Sequence, residues 1–310
     1  MTPRLETPVV LIVFNRPATT KLVFDAIARV QPKQLLIVAD GPRLQKEGEA
    51  EVCRQVRNIV AQVDWPCEVF ENISDDNLGC QERIISGLNW VFSQVEEAII
   101  LEDDCLPDLS FFLFCQELLI KYRGDSRISY ICGANLVQDY TRLEDSYFFS
   151  QIGGIWGWAT WREEWHRYDR YLSDWPALKR ERRLSEILDQ HEVITHWTHI
   201  FDLMHEGRGP NTWDYQLLYT NLKNNSLTIV PRVNLVANIG FGQSATHTIN
   251  EDDRFMLAAS VMEFPLKHPT SLIPLRSLDR YRVKDMLPPS IASRILNKIR
   301  RARLSFESKK

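Results

Sequence analysis

A short apolar run that ends in three acids limits the architectures open to this chain. Residues 98–101 are apolar at every position, and Glu102, Asp103 and Asp104 follow directly. A run without polar alternation is typical of an interior strand in a sheet covered on both faces, and open α/β sheets bind ligands at the carboxyl ends of such strands. Three adjacent carboxylates repel one another, so they favour a divalent cation between them and an anionic ligand, although a solvated turn would have the same composition.

Further apolar runs alternate with segments of helical periodicity. Predicted strands cover residues 8–14, 35–39, 67–72 and 128–132, and predicted helices cover 19–30, 47–63, 80–95 and 109–122. This alternation predicts an α/β fold with a mostly parallel, doubly wound sheet flanked by helices. Later in the chain the patterns predict helices over 184–206 and 215–222, a strand over 227–230 and an irregular segment over 231–247.

The composition is that of an ordinary globular protein. The chain has 310 residues, 44% of them hydrophobic, and a net charge of -4, which gives no indication of nucleic-acid binding. Its apolar runs are far shorter than the ~20 residues of a membrane-spanning helix, and its start lacks the layout of a secretory signal. Six scattered cysteines without a C-x-x-C pair indicate reduced thiols. We therefore expect a soluble, cytoplasmic protein.

Two segments of unusual composition each allow two interpretations. Residues 147–175 hold five of the nine tryptophans beside Gly153, Gly154 and Gly157, which suits either stacking on sugar rings or a tryptophan-rich core. From residue 288 a basic, amphipathic pattern predicts a short C-terminal helix. That helix is either frayed with a solvated face or docked as a peripheral contact at the inner face of a membrane.

Several common catalytic signatures are missing from the sequence. It contains no G-x-x-x-x-G-K-[ST], G-x-G-x-x-G or G-x-S-x-G, so P-loop hydrolysis, dinucleotide redox chemistry and serine hydrolysis lack their usual evidence. His191-Glu192 begins like a zinc-protease helix, but Thr195 stands where the second histidine is required. Any phosphate must therefore be held in another way.

A set of short motifs, in this order and spacing over about residues 8–250, resembles one enzyme family. The motifs are Leu11-Ile12-Val13-Phe14-Asn15-Arg16, Val38-Ala39-Asp40-Gly41, Ile100-Leu101-Glu102-Asp103-Asp104, Trp213-Asp214, and Gly240-Phe241-Gly242 through to His247. They resemble the GT-A (Rossmann-like) glycosyltransferases, specifically the N-acetylglucosaminyltransferase I type. The resemblance implies a nucleotide-sugar-binding α/β half (1–146) and an acceptor-binding and catalytic half (147–250), and the basic, amphipathic pattern marks residues 251–310 as a C-terminal helical, basic tail.

The resemblance also implies roles on the donor side. Arg16 and Asp40 would contact the base and ribose of the nucleoside. Asp104, as the last acid of a DXD-like motif, would hold Mn²⁺ or Mg²⁺ across the diphosphate. Asp103 and Glu102 would lie nearer the ribose and the sugar.

Three more residues are assigned roles in catalysis, His247 and Asp214 by resemblance and Arg83 from its place on the helix after Gly79. His247 corresponds to a histidine near the metal or phosphates, and an imidazole ligand would favour manganese. Arg83 would add positive charge beside the leaving group, unless it is a surface helix residue. Asp214 would be the general base that removes the acceptor's proton, and its other interpretation is the N-cap of a helix that begins at Tyr215. The N-acetylglucosaminyltransferase has a second acid in place of Tyr215, so we expect different acceptor contacts.

By the same resemblance, the contacts to the acceptor are assigned to Gly154, Trp156, Trp158 and Trp213. The implied activity is metal-dependent, inverting transfer of a hexosyl or N-acetylhexosaminyl group from a nucleoside diphosphate sugar, with UDP expected, to a bacterial polysaccharide, glycolipid or small acceptor. One alternative is a sugar nucleotidylyltransferase, which needs a glycine-rich, basic phosphate loop where this chain has residues 15–18. The other is a non-catalytic carbohydrate-binding protein on the same scaffold.

Overall fold

A computed structural model describes residues 4–140, 143–240 and 257–286. Within these residues the chain forms ten β-strands and ten α-helices. The strands are β1 (Val9–Val13), β2 (Gln34–Ala39), β3 (Glu68–Ile73), β4 (Glu97–Glu102), β5 (Cys105–Pro107), β6 (Ile128–Cys132), β7 (Tyr147–Ser150), β8 (Trp158–Trp161), β9 (Leu227–Pro231) and β10 (Val236–Asn238). The helices are α1 (Pro17–Val30), α2 (Glu49–Val60), α3 (Gly79–Gln94), α4 (Leu109–Tyr122), α5 (Arg162–Trp165), α6 (Trp175–Arg180), α7 (Leu184–Ile187), α8 (His191–His205), α9 (Asp214–Asn224) and α10 (Arg276–Met286).

Eight of the described strands form one large sheet. Their order is β3-β2-β1-β4-β8-β6-β9-β7, and within it β8 and β7 run antiparallel to the other six. Strands β5 and β10 pair separately as an antiparallel ribbon. The predicted fold class, a mostly parallel α/β sheet flanked by helices, is confirmed.

Burial on both faces explains the continuous apolar runs. In β1, Val9 and Leu11 pack into the core shared with α1, α2 and α4, whereas Val10 and Ile12 pack into the core shared with α3. Strands β2 and β4 alternate in the same way between these two cores. A strand with an apolar layer on each face has no position for a polar side chain until it ends.

A third core lies among α6, α7, α8 and α9, and it changes one predicted element. The helix predicted over 184–206 is two helices, because Leu188 takes an extended conformation after α7 and is only 7% exposed in this core. Burying that leucine turns the chain before α8 begins at His191.

Strands from both predicted halves of the chain share the large sheet. Strand β8 lies between β4 and β6 although it follows residue 146, and the sequence did not predict it because its four residues lie within the tryptophan-rich segment. The three-part division of the chain stays a prediction. No helix in the described ranges is long and apolar enough to cross a membrane. The basic segment from residue 288 lies outside those ranges.

Candidate functional site

A cleft of about 690 Å³ opens at the carboxyl ends of β1, β2 and β4. Its other walls are the start of α3, the segment before β8 and the loop before α9. Parallel strands bring their carboxyl ends to one edge of the sheet, which is why residues far apart in sequence meet here. Nine of the residues assigned from the sequence line the cleft: Arg16, Asp40, Arg83, Glu102, Asp103, Asp104, Trp156, Trp213 and Asp214.

Arg16 lies over the acids at the end of β4. Its Nη1 atom donates to Asp103 Oδ1 at 3.2 Å and to Asp104 Oδ2 at 2.5 Å. The backbone N–H of Phe14 donates to Asp103 Oδ2 at 3.3 Å. Burial and the neighbouring carboxylates raise the pKa of Glu102 and the pKa of Asp103, and Arg16 offsets only part of that effect. This end of the cleft therefore favours additional positive charge.

The ribbon of β5 and β10 holds the chain before residue 241 against these acids. Asn238 pairs with Cys105, and the N–H of Ile239 donates to the carbonyl of Asp104 at 2.8 Å. A Cβ atom at Gly240 would lie 2.2 Å from Asp104 Oδ2, so the close approach requires glycine. The segment predicted to be irregular thus contains a strand, and its glycine allows the backbone to pack on the acid.

Asp40 lines the cleft, but its oxygens are already engaged. Oδ1 accepts from the N–H groups of Gly41 and Leu78, both at 2.9 Å. Oδ2 accepts from the N–H of Gly79 at 3.1 Å and from the side-chain amide of Asn77 at 2.9 Å. A carboxylate has about four lone-pair sites, so Asp40 is suited to hold the loop before α3 and has little capacity left for a nucleoside.

Arg83 is buried, which excludes the surface role that the sequence left open. The residue is 5% exposed, and Nη2 donates to the carbonyl and to Oδ1 of Asn72, both at 2.5 Å. Burial lowers the pKa of Arg83 below its ordinary value, and the negative charge of Asp40 offsets only part of that effect. A contact between Arg83 and a diphosphate stays a prediction.

Asp214 is half-buried in the cleft wall at the start of α9. The helix begins at Asp214 itself, and Trp213 occupies the N-cap position without a side-chain cap bond. The hydroxyl of Thr212 donates to Asp214 Oδ1. Asp214 is therefore the first helical residue, and its carboxylate is favoured there by the positive end of the helix dipole.

The four predicted acceptor residues are not equivalent. Trp156 is half-buried in the cleft wall. Trp213 touches the cleft but is 2% exposed, and its ring stacks at a centroid distance of 5.4 Å on Trp158, which is 1% exposed. Trp158 and Gly154 do not line the cleft, because the first is in the core and the second packs near Ala134. Trp158 and Trp213 therefore belong to a tryptophan-rich core, which was one of the two interpretations that the sequence allowed.

The acid end of the cleft fits a metal only if the ligand completes the coordination shell. In the described ranges no group of three or more His, Cys, Asp or Glu side chains is arranged to hold an ion. Mg²⁺ and similar hard cations usually take one or two protein carboxylates, with phosphate oxygens and water as the other ligands. Asp104, at the cleft wall, fits that donor set. His247, assigned to the same ion, lies outside the described ranges.

Sequence reasoning missed several polar residues in the cleft. They are Asn15, Arg43, Asn77, Asn211 and Asn238. All lie in loops or at strand ends, where polar side chains are common whether or not a ligand binds. Their positions in the sequence therefore carried too little signal to separate them from ordinary turn residues.

Comparisons with known proteins do not identify a family for this chain. No protein-family model matches the chain, and no curated protein matches it. A UDP-glucose pyrophosphorylase complexed with UDP-glucose is 10% identical over 73% of this chain and 90% of its own, with a TM-score of 0.38. The apo form of a UDP-glucose pyrophosphorylase is 9% identical over 90% of this chain and 100% of its own, with a TM-score of 0.37.

A third solved structure is a 4-diphosphocytidyl-2C-methyl-D-erythritol synthase from Anaerococcus prevotii. It is 12% identical over 54% of this chain and 77% of its own, with a TM-score of 0.33. By name these three enzymes are closer to the nucleotidylyltransferase alternative than to a glycosyltransferase. Their TM-scores are too low to support an argument about the activity of this chain.

Proposed function

We propose that the protein is a glycosyltransferase that moves a sugar from a nucleoside diphosphate sugar, with UDP as the expected nucleotide, to a carbohydrate or glycolipid hydroxyl with inversion. The observation that carries this proposal is that one cleft of about 690 Å³ contains both the acids at the end of β4 and the half-buried Asp214. Cavities of a few hundred cubic ångströms are the usual size for small-molecule sites.

The donor's diphosphate belongs at the end of β4. In this proposal Asp104 would hold Mn²⁺ or Mg²⁺, which when bound would supply positive charge to stabilise the departing nucleoside diphosphate. The Nη1 atom of Arg16 lies 2.5 Å from Oδ2 of Asp104, so its guanidinium is within reach of the diphosphate and adds a charged hydrogen-bond donor. Glu102, Asp103 and Asp104 lie together at this end of the cleft, and Arg16 offsets only part of the charge that they can carry, so a diphosphate binds poorly there without a cation.

The acceptor belongs beside Asp214. Its carboxylate removes the proton of the acceptor hydroxyl while that oxygen bonds to the anomeric carbon. The bond from the anomeric carbon to the diphosphate oxygen breaks, and the nucleoside diphosphate leaves with the electron pair. Trp156 offers an apolar face against which a sugar ring packs.

The loop after β1 argues against nucleotidylyl transfer. The chain between β1 and α1 is Phe14-Asn15-Arg16, which has no glycine, and α1 begins at Pro17. The guanidinium of Arg16 is turned to the acids of β4. A glycine-rich loop that wraps a triphosphate with its backbone N–H groups is therefore absent at this described position.

A product assay separates the three activities. The purified chain is incubated with UDP-sugars, Mn²⁺ and a pool of candidate acceptors, and a parallel sample receives pyrophosphate. We expect acceptor-dependent release of UDP. Formation of UTP and sugar 1-phosphate in the pyrophosphate sample would assign nucleotidylyl transfer, and carbohydrate binding without turnover of any donor would assign a binding protein.

A further inference from the structure

Three polar residues at one side of the cleft form a connected cluster that the proposed reaction does not use. Asn15 and Arg43 line the cleft after β1 and β2, and Glu49 lies behind them in the first turn of α2 with 6% of its surface exposed. Glu49 accepts from Asn15 Nδ2 at 2.9 Å and from the backbone N–H of Arg43 at 2.7 Å. It also accepts from Nε and Nη2 of the same guanidinium.

Glu49 determines which way the amide of Asn15 faces. Hydrogen bonds from Arg43 lower the pKa of Glu49 to about 2, so the carboxylate is ionised at neutral pH and can only accept. Asn15 must therefore turn its Nδ2 atom towards Glu49. That leaves Oδ1, which has no hydrogen-bond partner among the described residues, as an acceptor for a ligand.

Arg43 is oriented by the same carboxylate. Its Nε and Nη2 atoms face Glu49, which leaves the two N–H groups of Nη1 as donors without a partner in the described part of the chain. The guanidinium lies 5.3 Å from the centroid of the Phe14 ring, a cation–π contact that further restricts it. Asn15 and Arg43 share the Oε1 atom of Glu49, so the free acceptor and the free donors are neighbours.

We propose that Asn15 and Arg43, held in place by Glu49, read the base of the nucleotide donor. This inference rests on the proposed function, because it takes the ligand to be a nucleoside diphosphate sugar. Nucleobase edges present an N–H donor beside an acceptor, as N3–H and O4 do in uracil, and this pairing complements an amide oxygen beside a guanidinium.

The order of the strands supports this placement of the base. Trp156, assigned to the sugar and acceptor, precedes β8 on one side of β4, whereas β1 and β2 lie on the other side. With the diphosphate at the end of β4, the nucleoside extends towards β1 and β2, where the cluster lies. Asp40, at the end of β2, already accepts four hydrogen bonds and is a positioning residue for the neighbouring loop.

Calorimetry with UDP, CDP, ADP, GDP and inorganic pyrophosphate, all with Mn²⁺, tests the inference. We expect the wild type to prefer UDP over CDP and ADP, while GDP, whose guanine also presents an N–H beside a carbonyl oxygen, tests whether the cleft excludes a purine. Asn15→Ala and Glu49→Gln should each weaken UDP binding about tenfold, the effect of one lost hydrogen bond, and bring its affinity closer to that of the other nucleotides. Pyrophosphate, which has no base, should bind within about twofold of wild type. Glu51→Gln, on the exposed side of the same helix, is the matched control and should change nothing.

The possible results separate this inference from the proposed function. If both variants keep the wild-type ratio of affinities among the nucleotides, or lose pyrophosphate binding to the same extent as UDP binding, the cluster does not read the base and the inference is overturned. If the wild type binds none of the nucleotides, the proposed function fails and the inference fails with it. Should Glu49→Gln not fold, Asn15→Ala decides alone, because it leaves the bond between Glu49 and Arg43 intact.

Discussion

Asp214 is the residue on which the proposed chemistry depends. Other carboxylates near the tryptophan-rich segment are poor substitutes, because Glu163 is exposed and Asp169 is bonded to Lys223 at 3.0 Å. Neither of them lines the cleft. Within the described cleft, Asp103 and Asp104 at the end of β4 are paired with Arg16, and our proposal assigns the acids there to the donor side.

Asp214→Asn tests the general base directly. The amide keeps the size of the side chain and its bond with Thr212 but cannot take a proton from the acceptor. We expect transfer to fall by about 10²- to 10⁴-fold, while donor affinity and melting temperature change little. Turnover, donor calorimetry and thermal unfolding are measured on the same preparation.

Asp108→Asn is the matched control for that experiment. Asp108 caps α4 by accepting from the N–H of Ser110 at 2.8 Å, and it does not line the cleft. The control should lose about 1 kcal/mol of stability or less and keep its turnover. Near-normal turnover in Asp214→Asn, with a lowered melting temperature, would show that Asp214 serves the helix and not the reaction.

Glu49 also predicts a pH dependence of stability. Its pKa is lowered to about 2 in the folded chain, chiefly by hydrogen bonds from Arg43, against 4.5 for a free glutamate. As the pH falls below about 5, the unfolded chain binds the proton first, so the stabilisation by Glu49 is present at neutral pH and is lost progressively towards pH 2. Glu49→Gln should cost about 1–3 kcal/mol at pH 7 and progressively less at lower pH. Urea unfolding from pH 7 to pH 3 measures this difference, and a constant difference would contradict the assignment.

At the scale of secondary-structure elements, the β5–β10 ribbon connects the backbone near residue 240 to the acids of β4. Three contacts hold it: the β5–β10 pairing, the N–H of Ile239 on the carbonyl of Asp104, and the close approach of Gly240 to the same residue. The ribbon therefore restricts the position of the carboxylate that we assign to the metal. Rigid support of this kind is what a metal-binding carboxylate needs.

Gly240→Ala tests whether the ribbon positions Asp104. The new methyl group would lie 2.2 Å from Asp104 Oδ2, so either the carboxylate or the ribbon must move. We expect manganese-dependent donor binding to weaken by about tenfold or more, the loss typical when support of a metal ligand is removed. Calorimetry with and without Mn²⁺ measures this, and unchanged metal-dependent binding would place the metal away from Asp104.

For the molecule as a whole, the distribution of charge in the cleft predicts how ligands affect stability. The diphosphate faces the acids of β4, so a UDP-sugar should bind weakly without a divalent cation. With Mn²⁺ and a donor at 100 times its dissociation constant, we expect the free energy of unfolding to rise by about 2.7 kcal/mol. Thermal unfolding with a panel of nucleotide sugars, in Mn²⁺ and in chelator, measures the increase.

Asp104→Asn is the comparison variant in that panel. It should unfold at nearly the wild-type temperature without ligands, because the residue lies at the end of a strand and not in a core. The stabilisation by Mn²⁺ and donor together should be lost. Equal stabilisation of the wild type in chelator and in Mn²⁺ would remove the metal from the proposal.

The sequence by itself determined six of the eight described strands of the large sheet and most of the described helices. Apolar runs such as residues 98–101 and helical periodicity such as that of residues 80–95 are local signals, because burial on both faces or on one face acts on each short segment separately. The same local logic placed the acids at the end of β4 and therefore located the cleft.

Only the tertiary structure decided what each residue in the cleft can do. It showed that Asp40 is fully hydrogen-bonded, that Trp158 and Trp213 pack on each other, and that Glu49 orients Asn15. The insertion of β8 between β4 and β6 is likewise a tertiary feature. Hydrogen bonds and stacking between distant segments depend on distances and directions that no local pattern contains, so the function of a polar residue follows from its neighbours in space.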